Sequence, residues 1–192
     1  MSVEIPRLTH AELSPPLRDA LAAKVERLGY LGEFFAVGGH QPAALLAFNQ
    51  FTEALKGALP AELTEVVALT VASEWGNDYE RHQHERLART LGFDDGWIAA
   101  ATGTGDPANL GDTARLAREL VLAMLADRGH GAAARVAVTT EALGPELTVG
   151  LLLVVGRYVA HAVVSNSLEL RPPVPSVFEE EPALAVADRD RA

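Results

Sequence analysis

The chain of 192 residues is 48% hydrophobic and 22% charged, so it can form a substantial buried core, and its length favours a single domain. Its net charge of -10 argues against nucleic acid or an anionic membrane surface as a partner, because both require clustered Lys and Arg. The absence of cysteine excludes disulfides, thiolate nucleophiles and thiolate metal sites. These properties favour a small molecule or another protein as the partner.

Targeting and membrane signals are weak in this sequence. Residues 1–8 lack the basic and apolar regions of a signal peptide and the Arg- and Ser-rich pattern of a transit peptide. The most apolar run, 151–155, is far shorter than the roughly 20 residues of a membrane span, and Arg157 and His161 follow it closely. We therefore predict a cytoplasmic protein with a buried core helix here.

Apolar residues recur at helical spacing almost throughout the chain, and no segment alternates with period two between turn signals. We expect an all-α fold of seven or eight helices. In chain order, the predicted helices span about 14–28, 42–56, 60–75, 78–91, 94–101, 112–126, 132–142 and 145–168. Residues 30–39 are predicted to form a connector between the first two of these helices.

Proline and capping residues set several of these bounds. Ser14 is a suitable N-cap before two prolines, while Pro42 and Pro60 begin the next two helices. Asn77 can cap the fourth helix. After a predicted single domain of residues 1–170, the segment 171–192 contains Pro-Pro-Val-Pro and three consecutive Glu, which is typical of an extended or disordered arm.

The fourth predicted helix carries ionisable residues on one apolar face. Glu80 and His84 are one turn apart, and Leu87 and Leu91 continue the same face. The two leucines predict that this face is turned inward. A buried imidazole must then find a partner, and a buried carboxylate must be hydrogen-bonded or have a raised pKa.

Other ionisable residues nearby divide between the interior and solvent. His82 and Glu85 lie off the apolar face and are expected in solvent, whereas Glu65, amid apolar residues of the preceding helix, is expected to face the same interior as His84. Two interpretations stay open at this point. The residues either transfer protons, or form a satisfied core histidine with an ordinary helix pair.

The spacing of these residues resembles that of the carboxymuconolactone decarboxylase family, also called the alkyl hydroperoxidase D-like family. In the pattern that carries the resemblance, Glu65 is separated by eleven residues from Asn77-Asp78-Tyr79-Glu80. After three intervening residues stands His84, and Leu91-Gly92 follows later. The resemblance covers about 42–92 well and the last helix loosely, and we set the family core at about 42–100. It implies an alkyl hydroperoxidase D-like helical bundle, and Tyr79-Glu80 followed by His84 is similar to the cysteine-less branch of the family.

In the peroxidase branch of this family, cysteines stand at the places of Asn77 and Glu80. A Glu and a His corresponding to Glu65 and His84 assist proton transfer there. This chain has no cysteine, so the resemblance does not extend to thiol peroxidase activity. Arg81 is a further departure, because the cysteine-less branch often has Trp at this place.

The resemblance implies instead a decarboxylase, in which an unsaturated lactone loses CO2 and is then protonated without a metal or an organic cofactor. His84 is the predicted general acid or base, with Glu65 orienting or charging it and Glu80 adjusting its pKa. A cation must hold the substrate carboxylate, and Arg81 and Arg157 remain alternatives for this role. The other predicted substrate-binding residues are Tyr79 and Asn77.

Three further interpretations are open. Arg157 and His161, one turn apart in the last helix, can form a buried ion pair or an oligomer contact rather than part of a site. Second, the protein can hold a helical metal site with Glu62, Glu65, Glu80 and His84 as ligands. Helical di-iron proteins use paired Glu-x-x-His motifs, and no Glu of this chain has a His three residues later, which argues against this hypothesis. Third, Arg81 and the acidic C-terminal arm are compatible with a catalytically silent ligand-binding or structural homo-oligomer. The resemblance implies trimers or hexamers.

Overall fold

The computed structural model describes residues 5–179; residues 180–192 of the predicted C-terminal arm lie outside this range. Within it, all regular structure is helical, which confirms the all-α prediction. Two 3₁₀ segments, His10–Glu12 and Pro107–Asn109, accompany eight α-helices. The helices are α1 (Pro15–Leu28), α2 (Glu33–Gly38), α3 (Pro42–Ala58), α4 (Ala61–Glu74), α5 (Asp78–Thr90), α6 (Asp95–Thr102), α7 (Asp112–Ala126) and α8 (Ala133–Ser167).

The central element of the fold is α4. Its residues from Leu63 to Ala72 are all buried, and it packs against α5, α6, α7 and α8. A helix that is apolar on every side is stable only when it is surrounded by protein. Glu65 belongs to this buried run, so the fold carries a carboxylate into the middle of the core.

The predicted connector 30–39 contains a helix, so that prediction is wrong. Residues Glu33–Gly38 form α2, which buries Phe34 and Val37. Six residues are too few to show helical periodicity in a sequence. Tertiary packing decides this helix, because Phe34 belongs to a smaller apolar cluster with Leu17 and Leu45.

The two predicted helices near the C-terminus form one element, α8, with a break inside it. Gly144 has φ 81° and ψ 164°, a conformation outside the helical region, and Pro145 begins the second part. By length and composition α8 is apolar enough to cross a membrane. However, Arg157 and His161 on α8 are buried against other helices, which fits a core helix.

The first part of the predicted arm covers α5. The Ser176 hydroxyl donates a hydrogen bond to Glu85 over 2.6 Å, the Val177 amide donates to the same oxygen over 3.0 Å, and His82 Nδ1 lies 3.1 Å from the Val174 carbonyl. The expectation that His82 and Glu85 lie in solvent is therefore wrong. Both are buried, because this strap (residues 174–177) packs over them.

Candidate active site

The inward face of α5 carries Glu80 and His84, and both side chains are buried. Leu87 continues this face and is partly buried. Leu91 does not, since 46% of it is exposed, contrary to the sequence expectation. Leu91 is the C-cap residue, directly after the last residue of α5, Thr90.

A buried carboxylate of α4 binds the imidazole of α5. His84 Nδ1 donates to Glu65 Oε2 over 2.7 Å, and His84 Nε2 lies 3.7 Å from Glu80 Oε2. Burial lowers the pKa of His84, but the two carboxylates outweigh it and raise the pKa to about 9. The imidazole is therefore protonated at neutral pH, and Nε2 is the nitrogen left to donate.

Glu80 is the carboxylate that joins α5 to α8. Its Oε2 accepts a hydrogen bond from Arg157 Nη1 over 3.0 Å, and its Oε1 lies 3.4 Å from His161 Nε2. Burial raises the pKa of Glu80, but the positive charges of His84 and Arg157 oppose this effect and hold the pKa well below its ordinary value. Glu80 is thus a carboxylate at neutral pH.

His161 differs from His84 in its protonation. Its ring stacks on Phe34 with 3.9 Å between centroids, and its Nδ1 lies 3.0 Å from the Ser165 hydroxyl. Burial lowers the pKa of His161 to about 4; Glu80 opposes this shift, whereas the nearby positive charges reinforce it. The site therefore contains one charged and one neutral imidazole, held apart in pKa by their surroundings.

A small cavity of about 90 Å³ opens beside these groups, between α5, α8 and the first three helices. Positively charged side chains at its edge are Lys24, Arg27 and Lys56, and Arg157 lies on its wall. The whole chain carries a net charge of -10, so this cationic lining contrasts with the rest of the molecule. Glu80 is the one acidic residue among the described lining residues, so positive charges are in excess there. A cleft with an excess of one sign of charge concentrates ligands of the opposite sign.

Lys24 is held at the cavity by α3 and α2. Its ammonium donates to Asn49 Oδ1 over 3.0 Å and lies 4.7 Å from the centre of the Phe35 ring. Burial lowers the pKa of Lys24, and the nearby carboxylate of Glu53 opposes this effect. Nothing in the local sequence of α1 marks Lys24, since its partners belong to other helices.

Two predicted substrate-binding residues, Tyr79 and Arg157, line the cavity. The Tyr79 hydroxyl accepts a hydrogen bond from the Phe34 amide over 3.3 Å, and burial raises the pKa of its phenol. Arg157 Nε donates to Thr52 Oγ1 over 3.1 Å. These contacts fix both side chains in the cavity wall.

The other two predicted substrate-binding residues, Asn77 and Arg81, do not line the cavity. The Asn77 side chain caps α5 by accepting from the Glu80 amide. Arg81 binds Asp78 over 2.7 Å and Glu85 over 2.9 Å, on the side of α5 that faces the strap. Of the two arginines considered for the substrate carboxylate, the geometry thus favours Arg157.

The metal hypothesis gains no support from the described part of the chain. Among residues 5–179, no group of three or more His, Asp or Glu side chains is arranged to hold a metal ion. Glu62, which that hypothesis needs, is not among the residues that line the cavity.

Comparison with known proteins identifies one family model that matches the chain. Residues 42–123 match the model of the carboxymuconolactone decarboxylase family. This segment contains Glu65, Glu80 and His84, while Lys24 and the residues of α8 lie outside it. No curated protein matches the chain by sequence.

Solved structures show the same fold at low sequence identity. A cysteine-to-alanine variant of the debrominase Bmp8, in complex with 2,3,4-tribromopyrrole, is 16% identical with a TM-score of 0.74, covering 88% of this chain and 91% of its own. An alkylhydroperoxidase AhpD core protein from Ralstonia eutropha JMP134, described as an uncharacterized peroxidase-related protein, is 15% identical with a TM-score of 0.76 and coverages of 90% and 93%. Apo Bmp8 gives 16% identity, with the same TM-score and coverages as the AhpD core protein. These likenesses establish the fold alone.

Proposed function

Because this chain belongs to the carboxymuconolactone decarboxylase (alkyl hydroperoxidase D-like) family, with its match at residues 42–123, we propose that it is a cofactor-independent decarboxylase or a related proton-transfer enzyme. Its substrate would be a small, carboxylated, lactone-like metabolite. The observation that carries this proposal is the buried His84–Glu65 pair, 2.7 Å apart, at the wall of a cation-lined cavity.

Substrate binding would begin with the carboxylate. Arg157 uses Nε for Thr52 and Nη1 for Glu80, so among the contacts within residues 5–179 its Nη2 is left for a ligand. The guanidinium is charged at every physiological pH and suits a carboxylate in geometry. Glu80 keeps Arg157 in place and cannot move away without leaving a buried charge unpaired.

The chemical step would transfer one proton. When the bond between the carboxylate carbon and the ring breaks, CO2 leaves and the electron pair enters the conjugated system of the lactone. The protonated imidazole of His84 then delivers the Nε2 proton to the resulting carbanion, and becomes neutral. A proton from water restores it, so that the net reaction consumes one proton and releases one CO2.

The residues of the chain rule out one activity named for its relatives. A thiol peroxidase attacks peroxide with a thiolate, and this chain contains no cysteine. Glu80 lies where the peroxidase branch has one of its cysteines, and in this structure it binds Arg157 and lies near both histidines.

The test is turnover of a panel of unsaturated lactone carboxylates by the purified protein, followed by CO2 release. We expect the His84→Ala variant to lower kcat/KM by about 10² to 10⁴, the usual contribution of a positioned general acid. The matched control is His130→Ala, which removes an exposed imidazole outside the site. Turnover that survives His84→Ala would contradict the assigned role.

The alternative is a catalytically silent ligand-binding or structural homo-oligomer of the same family. The observation that favours it is an exposed apolar face on α8, where 52% of Val149 and 47% of Leu153 are exposed. Under this alternative, the protein binds members of the panel or self-associates, but releases CO2 from none of them. The same panel therefore separates the two functions.

A further inference from the structure

A second depression, here called the groove, adjoins the catalytic cavity on the other side of Gln83. Its volume is about 320 Å³, against about 90 Å³ for the cavity. Four side chains, Arg27, Leu28, Gln83 and Leu87, line both spaces and so form their common wall. The groove is therefore the space into which a ligand too large for the cavity would extend.

The cavity alone is too small for a complete metabolite. In the same measure of volume one water requires about 10 to 15 Å³, so about 90 Å³ holds a carboxylate and several further heavy atoms. Typical small-molecule pockets occupy about 300 to 1,000 Å³. The remainder of a substrate bound at Arg157 must lie outside the cavity.

Gln83 stands between the two spaces. Its Nε2 donates to the Tyr79 carbonyl over 2.7 Å, while the Tyr30 hydroxyl donates to its Oε1 over 3.5 Å, at the long limit for a hydrogen bond. The contact between Tyr30 and Gln83 is thus weak. A ligand that displaces it gives up little and joins the cavity to the groove.

The lining of the groove selects its occupant. Leu28, Leu87 and Val174 are half-buried and present apolar surface, and Tyr30 adds an aromatic ring. Two arginines, at positions 27 and 86, flank this surface, and no acidic residue is among the groove's lining residues within 5–179. This chemistry suits an apolar or aromatic chain attached to an anion and disfavours a cationic group.

We propose that the groove is the subsite for an apolar or aromatic tail of the substrate, whose carboxylate binds in the catalytic cavity. This inference rests on the proposed function and narrows its substrate class to amphipathic carboxylates with a tail of several carbons. Tyr30 and Val174 are specificity-determining residues: they touch the tail and not the reacting atoms. Val174 belongs to the strap, so the segment after α8 completes the subsite.

The experiment measures the affinity of the full chain for acetate, butyrate, hexanoate and octanoate by calorimetry. We expect affinity to rise about fourfold per methylene once the tail enters the groove, in line with the burial of one CH2. Val174→Asp and Tyr30→Ala should each lower the ratio of octanoate to acetate affinity at least tenfold. The matched control, Val138→Asp, changes an exposed valine of α8 that does not line the groove and should leave that ratio unchanged.

Three results would overturn the inference. An affinity that does not depend on chain length, with acetate binding and His84-dependent turnover retained, removes the groove subsite but keeps the proposed function. An equal loss in Val138→Asp shows that long chains bind to apolar surface in general. Failure of every carboxylate to bind removes the subsite and the proposed function together.

Discussion

The carboxylate of Glu80 organises the site at the scale of single residues. It contacts Arg157 on one side and lies near two imidazoles, of which only His84 also binds Glu65. The pKa of His84 is raised to about 9, above its unfolded value near 6.5. Its protonation therefore stabilises the fold fully below about pH 6.5, and this stabilisation is lost as the pH rises through about 9.

The same pKa makes a prediction about catalysis. If His84 is the general acid, kcat/KM of the wild type falls above about pH 9. In Glu65→Gln the strongest neighbouring negative charge is removed, so the pKa of His84 falls and the decline in kcat/KM begins at lower pH. The pH–rate profile measures this shift, and the imidazole NMR resonances measure the pKa directly.

The matched control for this prediction is Glu62→Gln. Glu62 lies on the same helix, one turn before Glu65, and does not line the cavity. Its replacement should leave the pH–rate profile the same as that of the wild type. An unchanged profile in Glu65→Gln would show that this carboxylate does not charge His84.

At the scale of elements, the burial of α5 depends on the strap beside it, and the length of α8 depends on a glycine within it. The strap at 174–177 satisfies Glu85 and covers the outer face of α5, so the helix that carries the site is buried on both sides. Helix α8 is long because its two parts continue across one residue, Gly144, with φ 81° and ψ 164°. This conformation is essentially restricted to glycine.

Replacing glycine by alanine should affect stability differently at the break in α8 and in an ordinary helical turn. Gly144→Ala should lower the free energy of unfolding by about 1 to 3 kcal/mol, because the added Cβ meets no atom within 4 Å and only the backbone is strained. Gly57→Ala, in the exposed last turn of α3, also meets nothing within 4 Å and should leave stability unchanged or raise it by up to about 1 kcal/mol. Denaturant unfolding of both variants tests this, and equal effects would contradict it.

At the scale of the whole molecule, α8 presents an apolar stripe that no other part of residues 5–179 covers. Its exposed residues recur at alternating intervals of four and three, the spacing of a helix seam, and they are Val149, Leu153, Gly156, Ala160 and Val163. Single exposed apolar residues are ordinary, but a contiguous stripe of them marks an interaction surface. This face supports the prediction of a homo-oligomer, for which the family resemblance suggests trimers or hexamers.

The stripe predicts the effect of one charge on assembly. We expect the wild type to elute as an oligomer in size-exclusion chromatography with light scattering, and Leu153→Asp to shift it toward the monomer, because a buried unpaired carboxylate is costly. The control is Leu91→Asp, at a similarly exposed leucine just after the end of α5. A monomeric wild type would rule out self-association through α8.

Most of the helical structure could be predicted from local sequence patterns. Periodicity and proline positions predicted seven of the eight α-helices of residues 5–179 closely, since each spans at least two turns and most are bounded by a proline, a glycine or a capping residue. The exception, α2, is too short to carry such a signal. The burial of His82 and Glu85 was also missed, because it depends on a strap some 90 residues away along the chain.

For the site, the sequence by itself determined which chemistry is absent, since no thiol exists. It also predicted which residues would handle protons, because Glu65, Glu80 and His84 follow a spacing that resembles the family's. Only the tertiary structure placed Arg157 and not Arg81 at the cavity, made His161 a neighbour of Glu80, and brought Lys24 to the cavity. The physical reason is distance along the chain. Helical periodicity reports which face a residue occupies, whereas the partner that meets this face is fixed by packing between helices far apart in sequence.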